Sequence, residues 1–491
     1  MKNKIFKIPK EVLKTAEKLN EAGFEAYLIG GCVRDLLLDL KPKDWDIATN
    51  ALPEQIIKIF EKTFYENRFG TVGVVNEDVS DETLKIIEVT PYRTETGYSD
   101  YRRPDEVTFG VSLEEDLARR DFTINAIALD PHKGQIIDPH KGQKDIKDKI
   151  IKAVGDSVER FKEDGLRMLR AIRISSELGF MTNNETKEAI KLNSSLIKEI
   201  SKERIRDEFI RIIMSDRPRQ GLSLAQELGI LRYIVPELEQ TVGVKQNQAH
   251  SFEVWEHLLK SLQHAADKKM KFHVRLAALF HDIAKPDTRR WLESKKDWTF
   301  YGHDVVGARK TEKILKNLRF SKDTVEKVVK LVRWHMFFSD TEKITLSAVR
   351  RLVSRVGREE VWDLMNLRIC DRIGTGRPKE SPYRLRKYNS MVEEVLSDPI
   401  SVSMIKIDGN KIMEITGLKP GPEIGFILHI LLDEILDNPA LNEEGYTRNR
   451  AVELSKLPIK ELHKLGKAAK DRKGEEEKKK ITEIRNKYWV K

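Results

Sequence analysis

"GGCVRDLLLDLKPKDWDIAT", residues 30–49, decides how the first third of the chain reads. Upstream, "LIGG" is a short apolar run ending in two glycines, and a backbone without β-carbons lets a phosphate chain come close. Arg34 follows and adds positive charge. Downstream, Asp44 and Asp46 flank Trp45 ahead of the apolar "IAT". In an extended segment, period-two alternation points both carboxylates to one face and Trp45 to the other. Two carboxylates held that close repel each other, and a divalent cation relieves the repulsion. Magnesium suits such a place, because it is commonly held by one or two carboxylates plus substrate phosphates. A D-x-D alone is more often a surface turn, and a Gly-Gly pair is often only a turn. The reading rests on finding both, with the Val-Arg-Asp and Lys-Pro-Lys steps, in one block of 20 residues.

Working outward, the first 140 or so residues read as mixed α/β, with β-rich runs at "FEAYLIG", "TVGVVNE" and "LKIIEVT". After about residue 150 the strand signal disappears and helices follow one another. In "SKERIRDEFIRIIMSD", Ser201 is placed to cap, and Ile205, Phe209, Ile212 and Ile213 share one helical face. "KAAKDRKGEEEKKKITEIRNKYWVK" closes the chain as a mixed-charge, exposed helix: a solvated face or an RNA-contacting tail.

The 491 residues allow several domains, and 40% hydrophobic with 34% charged residues is the balance of a soluble protein. No apolar run spans a bilayer and no signal peptide is evident, so a cytoplasmic location without membrane contact is expected. The cysteines, Cys32 and Cys370, support neither a disulfide framework nor a cysteine-based zinc site. A net charge of +10 is compatible with a polyanionic partner and equally with a well-solvated surface.

Three further stretches follow the opening block in order: "DLARRDFTINAIALD" at 116–130, "ERFKEDGLRMLRAIRIS" at 159–175 and "KERIRDEF" at 202–209. With residues 30–49 they resemble the class II tRNA nucleotidyltransferases and bacterial poly(A) polymerases of the DNA-polymerase-beta-type superfamily. That resemblance implies an α+β protein: a nucleotidyltransferase head (1–148), then an all-α neck (149–215), body (216–245), HD domain (246–380) and tail (381–491). It implies that Asp44 and Asp46 hold Mg2+ that brings an RNA 3′-hydroxyl onto the α-phosphate of a nucleoside triphosphate. The superfamily adds a third carboxylate, and Glu88 is the candidate because Ile87 and Val89 would then face the opposite side. Gly30, Gly31, Arg34, Arg120, Asp121 and Asn125 would bind the nucleotide, while Arg119 is open to a structural role.

The family's template motif has the pattern E-D-x-x-R, so the resemblance implies that Asp164 and Arg167 are the base-reading pair. At i and i+3 on a helix the two side chains would meet on one face. An aspartate accepts from an exocyclic amine and an arginine donates to ring acceptors, so the pair favours C and A over U and G. An ordinary surface salt bridge is the bland alternative.

"RFGTVGVV" at 68–75 and "GLKPGPEIGFIL" at 417–428 look more like the CCA-adding type. "TPYRTETGYSDYRRPDEVTFG", with Glu95, Gly97 and Tyr98, fills the place of a polar, mobile loop that CC-adding enzymes lack. The resemblance therefore implies addition of CCA to tRNA from CTP and ATP. An A-adding enzyme, a poly(A) polymerase, or an HD phosphohydrolase with a non-catalytic RNA-binding head are the alternatives, and the oligomeric state is open.

In the second half, "AALFHDIAKP" puts His281 beside Asp282, as in HD-type phosphohydrolases. The other positions of that pattern are filled by His257, His303, His335 and Asp371. By resemblance they hold a divalent metal of unspecified identity and hydrolyse phosphoesters, including 2′,3′-cyclic phosphates. A domain kept only for RNA binding is the alternative. His250, His264 and His273 fall outside the pattern and read as ordinary.

Overall fold

A computed structural model describes residues 6–65, 70–77, 79–97, 106–248, 251–337 and 344–469. Two compact units divide the chain, Met1–Glu239 and Gln240–Lys491.

The first unit is built on a seven-stranded sheet. In chain order its strands are β1 (Tyr27–Ile29), β2 (Asp46–Thr49), β3 (Thr63–Tyr65), β4 (Val72–Val75), β5 (Ile86–Pro91), β8 (Ala128–Leu129) and β9 (Ile136–Ile137). A separate hairpin pairs β6 (Arg93–Thr96) with β7 (Glu106–Phe109). The sheet runs β3-β4-β5-β2-β1-β8-β9, and only β2 and β5 are parallel neighbours. The three β-rich runs of the sequence become β1, β4 and β5, and alternate residues such as Leu28, Ile47, Ile87 and Val89 are fully buried. Burying these branched side chains, each worth about 1.5–3 kcal/mol, fixes which face of every strand looks outward. The Glu95-containing segment is therefore partly a hairpin strand; Gly97 adjoins it, and Tyr98 lies outside the described residues.

Helices Ser157–Glu163, Leu166–Leu178 and Lys202–Met214 follow the sheet. Ile205, Phe209, Ile212 and Ile213 are all buried, as their spacing predicts. Ser201 precedes that helix but makes no side-chain cap bond, so packing of the apolar face, not capping, carries its start. The strand signal does not end at 150: β10 (Ile150–Ile151) pairs in parallel with β11 (Met181–Thr182). Strands of two residues lack enough alternation to be read from sequence.

The second unit is mainly helical, with a core of Ile412, Ile427, Leu431, Ile435 and Ala451 near its C-terminal end. Its HD region packs Val254–Asp267, Phe272–Phe280, Lys322–Trp334 and Glu360–Gly374, with His303–Asn317 alongside. A second departure from the all-α expectation is the hairpin of β12 (Arg290–Leu292) and β13 (Asp297–Thr299). The terminal mixed-charge stretch is described only to residue 469.

Candidate functional site

In the head, sheet register assembles the carboxylates. The antiparallel pairing of β1 with β2 brings the end of β1, and so Gly30, beside Asp46. Across the parallel pair, Asp46 stands opposite Glu88, and the Glu88 N–H donates to the Trp45 carbonyl at 3.0 Å. Trp45 is buried and Asp44 exposed, which is the alternation expected around the D-x-D. Glu88 is half-buried between fully buried Ile87 and Val89. Strand β2 begins at Asp46, so Asp44 lies in the bend just before it.

The paired glycines form the floor of this corner. Gly30 sits at φ +73°, and a β-carbon there would lie 3.2 Å from Arg120 Nη1 and 3.3 Å from Asp46 Oδ2. A β-carbon on Gly31 would lie 3.6 Å from Arg34 Nη2 and 3.8 Å from Asp44 Oδ1. Both aspartates and two guanidinium groups thus border space that any larger residue would fill. Arg120 Nη2 is held by Asp116 at 3.2 Å, while its buried Nε makes no hydrogen bond among the described residues. A carboxylate group with an orphaned cationic donor beside it fits a metal-bound polyphosphate.

A hydrogen-bonded chain leads from here to the neck. Arg34 Nη1 donates to Asn125 Oδ1 at 2.8 Å, and Asn125 Nδ2 donates to Asp121 Oδ1 at 3.0 Å. The other Asp121 oxygen accepts from Arg170 Nε at 2.7 Å. Burial alone would raise the Asp121 pKa, but Arg170, Asn125, Arg167 and the Phe122 N–H outweigh it and hold the carboxyl well below the usual range. Arg119 proves to be a brace: it binds Asp116 at 2.7 Å and Glu95 at 3.0 Å, tying the β6–β7 hairpin down.

The helical i,i+3 geometry expected for Asp164 and Arg167 does not form. Asp164 ends helix Ser157–Glu163 in an extended conformation, and its Oδ1 accepts from the Leu166 N–H at the start of the next helix. Its Oδ2 accepts from Arg204 at 2.7 Å. Arg167 donates instead to Glu163 and to the carbonyls of Arg160 and Arg119, both at 3.2 Å. The chain breaks at Asp164–Gly165, so neighbouring elements rather than one helix face orient the two side chains. The sequence reading missed Arg160, Glu163, Arg170 and Arg204. Arg170 was the findable one, one turn beyond Arg167 on the same helix.

In the second unit, His257, His281, Asp282, His303, His335 and Asp371 converge, all buried. Asp282 lies 3.1 Å from Nε2 of both His257 and His303, 3.4 Å from that of His281 and 3.6 Å from that of His335. Asp371 lies 3.6 and 3.7 Å from Nε2 of His257 and His281. His281, His303 and His335 each turn Nδ1 to the carbonyl three residues back, at 3.0, 2.7 and 2.7 Å. That bond aims every Nε2 lone pair inward, the orientation a metal ligand needs. Two groups of three donors result, His257, His281 and Asp371 beside Asp282, His303 and His335, each compact enough to hold an ion.

Each carboxylate carries a cation one helical turn away: Lys285 on Asp282 at 2.5 Å and Arg368 on Asp371 at 2.7 Å. Burial opposes ionisation, yet these cations and the histidines hold both carboxyls well below the usual range. His281 is pushed up to about 9, because its two carboxylates overcome burial, whereas burial dominates at His257 and His335 and lowers both. Gly374 lets the helices of His257 and Asp371 approach: a β-carbon there would lie 2.1 Å from Ser261 Oγ and 3.0 Å from His257 Nδ1. His264 and His273 stand apart from both groups, and His273 binds Asp363 at 2.6 Å. His250 lies outside the described residues.

Three known families match along the chain: "Poly A polymerase head domain" over residues 26–152, "Probable RNA and SrmB-binding site of polymerase A" over 179–241, and "HD domain" over 248–373. A CCA-adding enzyme of Lactobacillus delbrueckii subsp. bulgaricus is 33% identical over 446 residues, covering 89% of this chain and 95% of that one. The chain belongs to the CCA-adding enzyme family. A relative of the same name from Lactobacillus helveticus is 48% identical over 225 residues, 45% of this chain and 55% of its own. The crystal structure of the Bacillus stearothermophilus CCA-adding enzyme in complex with CTP superposes with a TM-score of 0.69 at 28% identity, covering 90% of this chain and 96% of that one. Membership settles the α+β build and makes the protein an enzyme with a nucleotidyltransferase head. No helix among the described residues is long and apolar enough to cross a membrane.

Proposed function

We propose that the protein adds C, C and A in turn to tRNA 3′ ends from CTP and ATP, with magnesium held by Asp44, Asp46 and Glu88. The pairing of Asp46 with Glu88 beside the glycine floor carries this reading. Bound magnesium would supply the Lewis acidity that activates the attacking hydroxyl and stabilises the leaving oxygen. Gly30 and Gly31 leave room for the triphosphate, and Arg34 and Arg120 offer it donors. Asp121 and Asn125, locked by Arg170 and Arg34, hold the sugar end of the nucleotide. An acceptor fixed for a 2′-hydroxyl penalises a deoxyribonucleotide, which leaves it unpaired.

Asp164 and Arg167 read the base. The bonds described above commit three of Arg167's five N–H groups, leaving donors for the ring acceptors of cytosine or adenine. Asp164 accepts the exocyclic amine. Uracil and guanine present a carbonyl and an N–H in those places and leave both groups unsatisfied. The relatives' name, CCA-adding enzyme, supports the complete product, and two free, buried cysteines suit a reducing, cytoplasmic setting. The test uses tRNA transcripts ending before CCA, after C-C and after CCA, each with CTP, ATP or both. A stop after C-C-A supports the proposal; a single A on the C-C end alone, or long A tails, would replace it with the A-adding or poly(A) reading.

A second activity is favoured by the inward Nε2 atoms of the HD site. Its nitrogen and oxygen donors fit a divalent transition metal or magnesium, which would supply activated water for phosphoester hydrolysis. Metal-dependent hydrolysis of bis(p-nitrophenyl) phosphate, lost in Asp282→Ala, is the expected result.

A further inference from the structure

The cavity beside the HD histidines has a volume of about 1120 Å³, far more than one phosphate occupies. Its lining acids are already committed. Asp282 is bound by Lys285 and Asp371 by Arg368. Asp304 is bound by Arg333 at 2.5 Å, and Asp297 accepts the N–H groups of Gln248 and Trp298.

Of the lining arginines, Arg368 is paired with Asp371, while Arg372, Arg377 and Arg384 are not balanced in the same way. The Arg372 guanidinium is fixed by the Lys379 carbonyl at 2.6 Å and crowded by the like charges of Arg377 and Arg368, which the single charge of Asp371 opposes. Arg377 and Arg384 line the same cavity, are exposed, and make no side-chain hydrogen bond or ion pair among the described residues. Cations gathered in excess of their counter-charge cost free energy through mutual repulsion, and a bound anion lowers that cost. Beside Arg384, Tyr383 keeps 63% of its surface exposed on the same cavity, an open ring face suited to a base.

We propose that Arg372, Arg377 and Arg384, with Tyr383 beside them, form a second phosphate subsite, so that the HD centre takes a nucleoside bearing two phosphate groups rather than a simple phosphomonoester. This rests on the hydrolytic reading of the HD centre. In the reaction water's oxygen bonds to phosphorus, the ester P–O bond breaks, and the leaving oxygen takes the proton that water gives up. The shared chemistry has two sources: a free nucleoside bisphosphate, or an RNA end whose next phosphodiester fills the subsite.

The experiment measures binding of adenosine 3′-monophosphate, adenosine 3′,5′-bisphosphate and a 3′-phosphorylated trinucleotide to the full-length protein with Mn2+. Wild type and Arg377→Ala/Arg384→Ala are compared, so binding at the head contributes equally to both. Wild type is expected to prefer the bisphosphate by about tenfold, and the double variant by less than about twofold. A further gain for the trinucleotide identifies the RNA end as the source; no gain identifies the free nucleotide. No preference in wild type, or the same preference in both proteins, overturns the subsite. Loss of bis(p-nitrophenyl) phosphate hydrolysis in Asp282→Ala tests the hydrolytic reading separately, and its failure leaves the binding comparison readable.

Discussion

The two candidate metal sites gather carboxylates by opposite means. In the head, Asp46 and Glu88 face each other because two parallel strands pair in one register, and the group lies open at a glycine floor. In the HD region, helix ends and helix turns deliver six donors into a buried centre, and three backbone carbonyls fix the rings before any ion arrives. The head resembles a site completed by its substrate, since magnesium keeps waters and shares phosphate ligands. The HD centre resembles a site made for a resident ion, with its own ligands oriented in advance. On the proposed reading, one molecule carries a metal site that its substrate completes and one whose donors are oriented in advance.

The largest effect should come from Asp46→Ala, which is expected to lower nucleotide addition by roughly a thousandfold or more while leaving HD-site hydrolysis unchanged. Gel-resolved addition and a phosphodiester assay on the same preparation check this. Loss of both activities together would break the division into two sites. Next, Asp282→Ala should abolish hydrolysis and leave CCA addition intact. It also leaves buried Lys285 without its counter-charge, with Gln246 as a neutral acceptor, so the metal-free protein should lose about 3 kcal/mol in chemical denaturation.

A smaller effect sharpens the head's side of the comparison. Arg167→Lys keeps the charge but loses the fork, and discrimination against UTP and GTP should fall by roughly a hundredfold. Unchanged selectivity would mean that other groups read the base. The smallest effect concerns protons. His281 in the metal-free centre holds its proton up to about pH 9, so an incoming ion must displace it. Metal affinity at the HD site should therefore rise about tenfold per pH unit below that value and level off above it. Titration calorimetry in buffers of different ionisation enthalpy reads the released proton, and a pH-independent affinity would remove His281 from the ligand set.

How much of this was legible in the sequence depended on how far apart the interacting residues lie. Asp44, Trp45 and Asp46 declared their alternation locally, and Glu88 could be chosen because Ile87 and Val89 had to be buried. The six HD side chains stand out through their family pattern, and the structure adds their convergence and the carbonyl bonds that aim three of the histidines. Asp164 and Arg167 stand out together in the sequence, but the one-face helical geometry their spacing suggests does not form, because Asp164 ends one helix and Gly165 precedes the next. Arg204, 40 positions beyond Asp164, and Arg170, 49 beyond Asp121, leave no local trace of their partnerships. The short strands at 150 and 181 exist only by pairing with each other, so neither stretch signals it alone.

The register of β2 against β5 also bears on what the chain can tolerate over evolutionary time. Between Thr49 and Ile86 the described residues include an α-helix, two strands and a short 3-10 helix. Insertions or deletions in the connecting loops leave the chemistry untouched so long as Asp46 still meets Glu88. A slip of a single residue in β5, with no change in composition, turns Glu88 into the core and an isoleucine or valine toward the nucleotide. What natural selection must preserve here is a phase as much as a set of residues.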